Sequence, residues 1–182
     1  MKLRIKSGTL GRRVITVKSS RVSFRPTLER VRQSVVDSIG QHIPGALAAD
    51  FCAGSGAFGF ELISRGAKMV HFVEKDRNLV RCIREHLHIF SVQDNARVIS
   101  QDLRQYIKNT STSYDILFFD PPYFDSSLNA LVNNLMRLVN PDGILLYQHD
   151  RGIAFEVAEN AAITVSCRRY GRTVVEYVKH SA

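Results

Sequence analysis

From about Ala48 onward, short apolar runs alternate with stretches in which apolar residues recur every three or four positions. A strand buried on both faces reads as a continuous apolar run, whereas a helix lying on a sheet shows a 3.6-residue stripe. The pattern predicts strands at Leu47–Cys52, Met69–Glu74, Ala96–Ser100, Tyr114–Asp120 and Gly143–His149. Between them it predicts helices at Ala57–Arg65, Arg77–Phe90, Leu103–Lys108 and Ser126–Leu138. Strands and helices in strict alternation imply parallel β/α units. Asn140-Pro141-Asp142-Gly143 is turn chemistry between the last helix and the strand after it.

Both ends of the chain depart from this rhythm. Ala162–Arg168 and Thr173–Lys179 are β-rich and joined only by a short link at Tyr170-Gly171-Arg172. So short a link forces a hairpin, and the sheet is expected to finish antiparallel. Near the start, Leu3–Lys6 and Arg13–Val17 flank Gly8 and Gly11 and read as a β-hairpin. Arg25-Pro26-Thr27 then leads into a helix reaching about Ile39, with Thr27 as its N-cap. The expected fold is α/β: a doubly wound, Rossmann-like, seven-stranded and mostly parallel sheet with a C-terminal antiparallel hairpin. Residues 1–45 are an N-terminal hairpin-and-helix appendage, and 46–182 form one compact domain.

Composition narrows the classes. The chain has 182 residues, 45% hydrophobic and 23% charged, as expected of an ordinary globular domain. No apolar run approaches the ~18 residues of a bilayer span, and no signal-peptide core follows the first lysine. The three cysteines are scattered, with no CxxC pair, so neither a disulfide framework nor a zinc site is expected. A monomer in a reducing cytoplasm, away from membranes, fits these features. The formal charge is +8, and Met1–Arg32 carries ten Lys or Arg against one acid, Glu29. Such a field draws in polyanions, although a basic solvated face gives the same count.

The stretch DFCAGSGAFGFE, residues 50–61, places Gly54, Gly56 and Gly59 as G-x-G-x-x-G between a strand and a helix. Glu74 follows twenty residues after Gly54, at the end of the next strand. That spacing suits an adenosine-type ligand whose ribose hydroxyls reach an acid. Asp50 separates the possible ligands. A pyrophosphate rests near such a loop in dinucleotide sites, and a carboxylate there repels it. S-adenosylmethionine carries no phosphate but does carry an ammonium and a sulfonium, so the acid becomes favourable. Asp102, ending the third strand, is placed to accept from the adenine amine or to cap the helix that follows. Cys52 reads as a small buried residue more readily than as a nucleophile.

FFDPPY, residues 118–123, ends the fourth strand with an acid, two prolines and an aromatic ring. Prolines fix φ and donate no hydrogen bond. The Asp120 carboxylate and the Pro121 carbonyl then form a pair of acceptors suited to a conjugated NH2 group. Holding both amine protons favours a pyramidal nitrogen and aims its lone pair. Tyr123 can stack on the attached ring. Positioning and electrostatics carry such a reaction, because a sulfonium is already a good leaving group.

Asp120-Pro121-Pro122-Tyr123 resembles the [DN]-PP-[YFW] motif of S-adenosylmethionine-dependent amino-group methyltransferases. With SGTLGRR (7–13), RPTLERVRQSV (25–35), DFCAGSGAFGFELISRGA (50–67), FVEKD (72–76) and RRYGRT (168–173), the chain resembles the bacterial small-subunit (16S) ribosomal RNA guanine-N2 methyltransferase family. The resemblance implies methyl transfer from S-adenosylmethionine to the exocyclic N2 of one guanine in ribosomal RNA, free or within an assembling small subunit. It assigns Asp50, Ala53, Gly54 and Gly56 to the cofactor loop. Glu74 goes to the ribose and Asp102 to the adenine, with Lys75 and Leu103 also in the cofactor site. Asp120, Pro121, Pro122 and Tyr123 hold the target base, with Asp120 also facing the cofactor, and that base must leave any stack to reach them. Arg12, Arg13, Arg25, Thr27, Arg30 and Arg32 become the residues that grip RNA, with helix-surface solvation as the alternative for Arg30 and Arg32. Gln33, Asp37, Gln148 and Arg172 depart from the family's usual Glu, Asn, acid and Asp. Two other readings stay open: an amino methyltransferase acting on adenine or protein glutamine, and a non-catalytic RNA-binding module.

Overall fold

The computed structural model describes residues 1–17, 29–122, 125–155 and 162–181. A small hairpin pairs β1 (Lys2–Arg4) with β2 (Val14–Thr16), and α1 (Glu29–Ser38) follows. The main sheet begins with β3 (Leu47–Phe51), α2 (Ala57–Ser64), β4 (Met69–Glu74), α3 (Arg77–Ile89) and β5 (Ala96–Ser100). It continues through α4 (Leu103–Asn109), β6 (Tyr114–Phe119), α5 (Ser126–Asn129), α6 (Val132–Leu135), β7 (Val139–Asp150), β8 (Ile163–Tyr170) and β9 (Thr173–His180). Strand order is β5-β4-β3-β6-β7-β9-β8, parallel up to β7 and antiparallel through the last two strands. The expected α/β class, seven strands and C-terminal hairpin are all present.

Alternation along the strands builds two cores. Ala48, Val70, Phe72, Ile116, Phe118 and Leu146 point to the layer made by α1, α2, α3 and the small hairpin. Their neighbours Ala49, Phe51, Val73, Leu117, Phe119 and Tyr147 point to the layer made by α4, α5 and α6. Successive residues face opposite sides of a strand, so one apolar run feeds both layers. The N-terminal hairpin shares the first core, since Leu3, Ile5 and Ile15 are buried in it.

Two predicted boundaries move. Ser126–Leu138 is not one helix: α5 and α6 are each four residues long and lead into a tight 3-10 turn at Met136–Leu138. Ser126, Ser127 and Asn134 are weak helix formers whose side chains compete for backbone groups. Strand β7 starts at Val139 rather than Gly143. Val139 pairs with Tyr114, residues 140–143 bulge out, and pairing resumes at Ile116 with Ile144. Asn140 closes the bulge by donating to Asp115 at 2.7 Å.

Candidate active site

The strand order reverses between β3 and β6, so the loops after these two strands diverge and leave a crevice at their carboxyl ends. Asp50 and Asp120 reach this crevice from neighbouring strands. The amide of Asp120 lies 3.5 Å from the Phe51 carbonyl.

The glycine loop is built from its backbone requirements. Gly56 sits at φ +74° as the N-cap of α2, a left-handed conformation that side chains resist. Gly59 has a different role: a Cβ there would lie 2.2 Å from the Phe72 ring, so the helix rests directly on β4. Cys52 adopts φ +59° at the turn out of β3, a strained conformation of the kind that collects at functional sites. Burial, followed by the charges of Glu74 and Asp120, pushes its thiol far above the ordinary range. A thiol held protonated in this way is no nucleophile.

Three carboxylates converge on this loop. Asp50 is 2% exposed and accepts the Gly59 amide at 2.9 Å. Burial raises its pKa well above the carboxylate range, and the charges of Asp120 and Glu74 add to the rise. The Gly59 hydrogen bond and the charge of Arg32 oppose it without cancelling it. Glu74 accepts the Gly54 amide at 2.8 Å on one oxygen and the Asp76 amide at 2.9 Å on the other. Each oxygen retains a second lone pair for a hydroxyl donor. Ala53 is buried at the start of the loop, its amide donating to Val73, and Lys75 is exposed beside Glu74.

Asp102 caps α4 and accepts the Arg104 amide at 2.9 Å, while Leu103 behind it is buried. Its carboxylate also takes the Arg104 guanidinium at 3.2 Å. After β6, Pro121 is buried and Pro122 is exposed, with the Pro122 carbonyl accepting the Asp125 amide at 2.9 Å. Tyr123, Arg25 and Thr27, with the Thr27 cap, lie outside the described residues. Arg104, which the sequence pattern did not single out, spans from Asp102 to Asp125 across the crevice rim. Only its position after an acidic N-cap hinted at this.

The arginines separate. Arg12, Arg13 and Arg30 are exposed. Arg32 is not available to RNA, which corrects its assignment: it is 2% exposed, lies 3.5 Å from the buried Glu61 and donates to the Arg4 carbonyl at 2.8 Å. A single acid inside the wholly buried helix α2 demanded a cation, and that was the signal in the sequence. Two of the unusual residues answer each other, since Gln33 donates to Asp37 at 2.8 Å, one helical turn along. Asp37 also takes Arg65 at 2.6 Å, and Arg172 pairs with Asp150 at 3.0 Å. These three substitutions serve local pairing.

Against known proteins, the family profile described as conserved hypothetical protein 95 matches residues 3–179. The chain belongs to that family. Among relatives, the Bacillus subtilis (strain 168) protein YlbH is 30% identical over 164 residues, spanning 86% of this chain and 88% of YlbH. A Haemophilus influenzae protein named ribosomal RNA small subunit methyltransferase D is 31% identical over 144 residues, covering 75% of this chain and 74% of its own length. Among solved structures, the yhhF protein of Escherichia coli superposes with a TM-score of 0.85 at 24% identity, over 100% of this chain and 99% of that one. At that identity the superposition speaks for the fold alone.

Proposed function

We propose that the chain transfers a methyl group from S-adenosylmethionine to the exocyclic N2 amine of a guanine in small-subunit ribosomal RNA. It acts as a cytoplasmic monomer on free RNA or on an assembling subunit. The observation that carries this reading is the convergence of Asp50, Glu74 and Asp120 on one glycine loop beside a strand ending in Asp-Pro-Pro. Burial first, and then the charges of Asp120 and Glu74, push against ionisation of Asp50, so a cation placed beside it is favoured. A ligand bearing an ammonium and a sulfonium meets that preference, whereas a pyrophosphate opposes it. Membership of a family whose relatives are named for ribosomal RNA methylation supports the RNA substrate.

When bound, S-adenosylmethionine supplies a methyl group on a sulfonium, which leaves as a neutral thioether. The chain's own residues bind and orient. Glu74, fixed by two backbone amides, offers its remaining lone pairs to ribose hydroxyls. Asp50 supplies negative charge where the ammonium needs it. Asp102 marks the adenine end, and Arg104 fixes its orientation. Asp120 and the Pro121 carbonyl hold the two protons of the guanine amine, so that its lone pair faces the methyl group. The surplus proton passes to Asp120 or to water. Positioning and prearranged electrostatics account for the rate.

The decisive experiment is transfer of tritiated methyl groups onto naked RNA and small subunits lacking the modification, with the product nucleotide mapped. N2-methylguanine is expected. Label on adenine or on protein would replace the guanine assignment, and absence of cofactor binding in calorimetry would remove the enzymatic reading. Asp120→Ala is expected to lower transfer at least ~100-fold, the scale of losing a transition-state hydrogen-bonding group. Cofactor affinity should stay nearly intact. Full activity in that variant would exclude Asp120 from the chemistry.

A further inference from the structure

A cavity of about 380 Å3 opens beyond the end of β7, lined by His149, Arg151, Phe155, Arg169 and Glu176 among others. Its volume lies within the ~300–1,000 Å3 range of small-ligand sites. None of these residues belongs to the cofactor crevice. The strand register nevertheless puts the cavity on the crevice's edge of the sheet. Phe119 is level with Tyr147, Asp150 with Thr173, and Thr173 with Tyr170. The β8–β9 turn and the end of β7 therefore stand on the same edge as Asp120. The distance from β6 to β8 is three strand spacings, about 14 Å.

The charge pattern of this cavity is specific. His149 is 3% exposed, faces Glu176 at 3.3 Å, and bonds the Asp150 carbonyl at 2.9 Å through its other ring nitrogen. The Asp150 carboxylate is already held by Arg172 and by the Gly152 amide. Among the described residues, both acids at this end, Asp150 and Glu176, thus have local partners, while Arg151 and Arg169 stand exposed at the rim. Phe155 packs edge-on against Tyr147, 5.6 Å between ring centres, and contributes a ring to the wall.

The N-terminal hairpin, where the basic excess first suggested RNA contact, faces the other way. Its tip is fixed to the C-terminal end of α2: the amides of Thr9 and Leu10 donate to the Ser64 carbonyl and hydroxyl at 2.8 and 2.9 Å. The Arg13 guanidinium lies over the Phe90 ring, 5.9 Å from its centre, at the C-terminal end of α3. In a parallel β/α unit the helices run back against the strands, so those ends lie at the edge opposite Asp120. A 13-residue helix such as α3 spans about 20 Å.

We propose that the cavity at the β7 end and the β8–β9 turn holds a nucleotide neighbouring the target base in the RNA strand, with phosphate on Arg151 and Arg169 and a base against Phe155. This inference rests on the RNA-methylating function above. Arginine suits the task because its planar fork matches phosphate oxygens, and aromatic rings stack with unpaired bases. Contacts of this kind fix register along the strand and leave the reacting amine to the Asp-Pro-Pro end. The nearness of the cavity to the Asp120 edge makes it the anchor for the target's immediate neighbours.

The test compares wild type, Arg151→Ala/Arg169→Ala and Arg12→Ala/Arg13→Ala in binding naked small-subunit RNA over a range of salt concentrations. The first double variant should bind RNA about tenfold or more weakly, and its logarithmic salt slope should be shallower by about 1.4, from two lost phosphate contacts at ~0.7 each. Its KM for RNA should rise more than its kcat falls, with cofactor affinity and thermal midpoint as in wild type. Phe155→Leu should weaken binding without altering the salt slope. Wild-type RNA affinity and salt slope in Arg151→Ala/Arg169→Ala would overturn the inference, as would a loss confined to Arg12→Ala/Arg13→Ala. A wild type that transfers methyl to RNA while the Arg151/Arg169 variant binds normally removes this inference alone. A wild type that transfers none to any RNA removes the proposed function and the inference with it.

Discussion

Arg104 donates to both carboxylate oxygens of Asp125 at 3.0 Å while also holding Asp102 at 3.2 Å. One guanidinium therefore joins the loop after β5 to the loop after β6. Asp125 passes the restraint on, because its amide is bonded to the Pro122 carbonyl. On the proposed function Arg104 is a positioning residue: it ties the segment that follows Asp120 to Asp102, the residue assigned to adenine. Arg104→Ala is expected to lower kcat by roughly 10- to 100-fold, the effect of a misplacement of about 1 Å. Cofactor affinity should change far less, and Arg104→Lys should recover part of the rate. Single-turnover kinetics at saturating cofactor measures this, and an unchanged kcat would show that the clamp has no catalytic consequence.

The same clamp has an acid limit. The Ser127 hydroxyl first, and then the Arg104 guanidinium, hold Asp125 at about 2, below the ordinary 3.8. A depressed carboxylate contributes stability that is present above its unfolded value and lost as pH falls through its folded value. The contribution should therefore vanish between about pH 4 and pH 2. Asp125→Asn should lack that part of the acid transition, as followed by circular dichroism during acid titration.

Asp50 has the opposite sign. Burial raises its pKa, so the folded state binds its proton more tightly than the unfolded chain does. Its contribution to stability is complete below the unfolded value and declines as pH rises through the raised one. Asp50→Asn, which does not titrate, should therefore gain on wild type in urea midpoint as pH increases. A bound cation favours the ionised form, so S-adenosylmethionine should bind wild type more tightly at higher pH and release a proton. Calorimetry in buffers of different ionisation enthalpy detects that proton, and Asp50→Asn should not release it.

Arg32 and Glu61 are buried together beneath the N-terminal hairpin. Removing one member leaves the other charged without compensation, at a cost of about 3–5 kcal/mol. Arg32→Ala should lose that much in urea unfolding, while Arg32→Met/Glu61→Leu should recover most of it. If Arg32 instead served RNA, its replacement would weaken RNA binding and leave stability unaltered.

At Gly59, an added methyl group would collide with the Phe72 ring. Gly59→Ala should be destabilised by about 1–3 kcal/mol through overpacking. It should also weaken cofactor binding, because α2 and the loop before it would shift away from β4. Thermal melting and calorimetry together separate the two effects.

The order and type of elements were written in local patterns. Continuous apolar runs gave strands buried on both faces, and Gly54, Gly56 and Gly59 marked a loop entering a helix that rests on the sheet. The acids at the ends of the strands were legible as well, because parallel topology carries every strand end to one edge. Residues of weak helix propensity after Asp125 broke a helix that the apolar spacing alone had drawn whole. Tertiary structure decided the fate of charge. Arg12, Arg32 and Arg151 are the same residue type, but one lies at the far end of the helices, one is buried on Glu61 and one borders the cavity beside the crevice's edge. Sequence fixes the number of charges on a chain. Their partners and their exposure depend on contacts between residues distant in sequence, and those contacts exist only once the chain has packed.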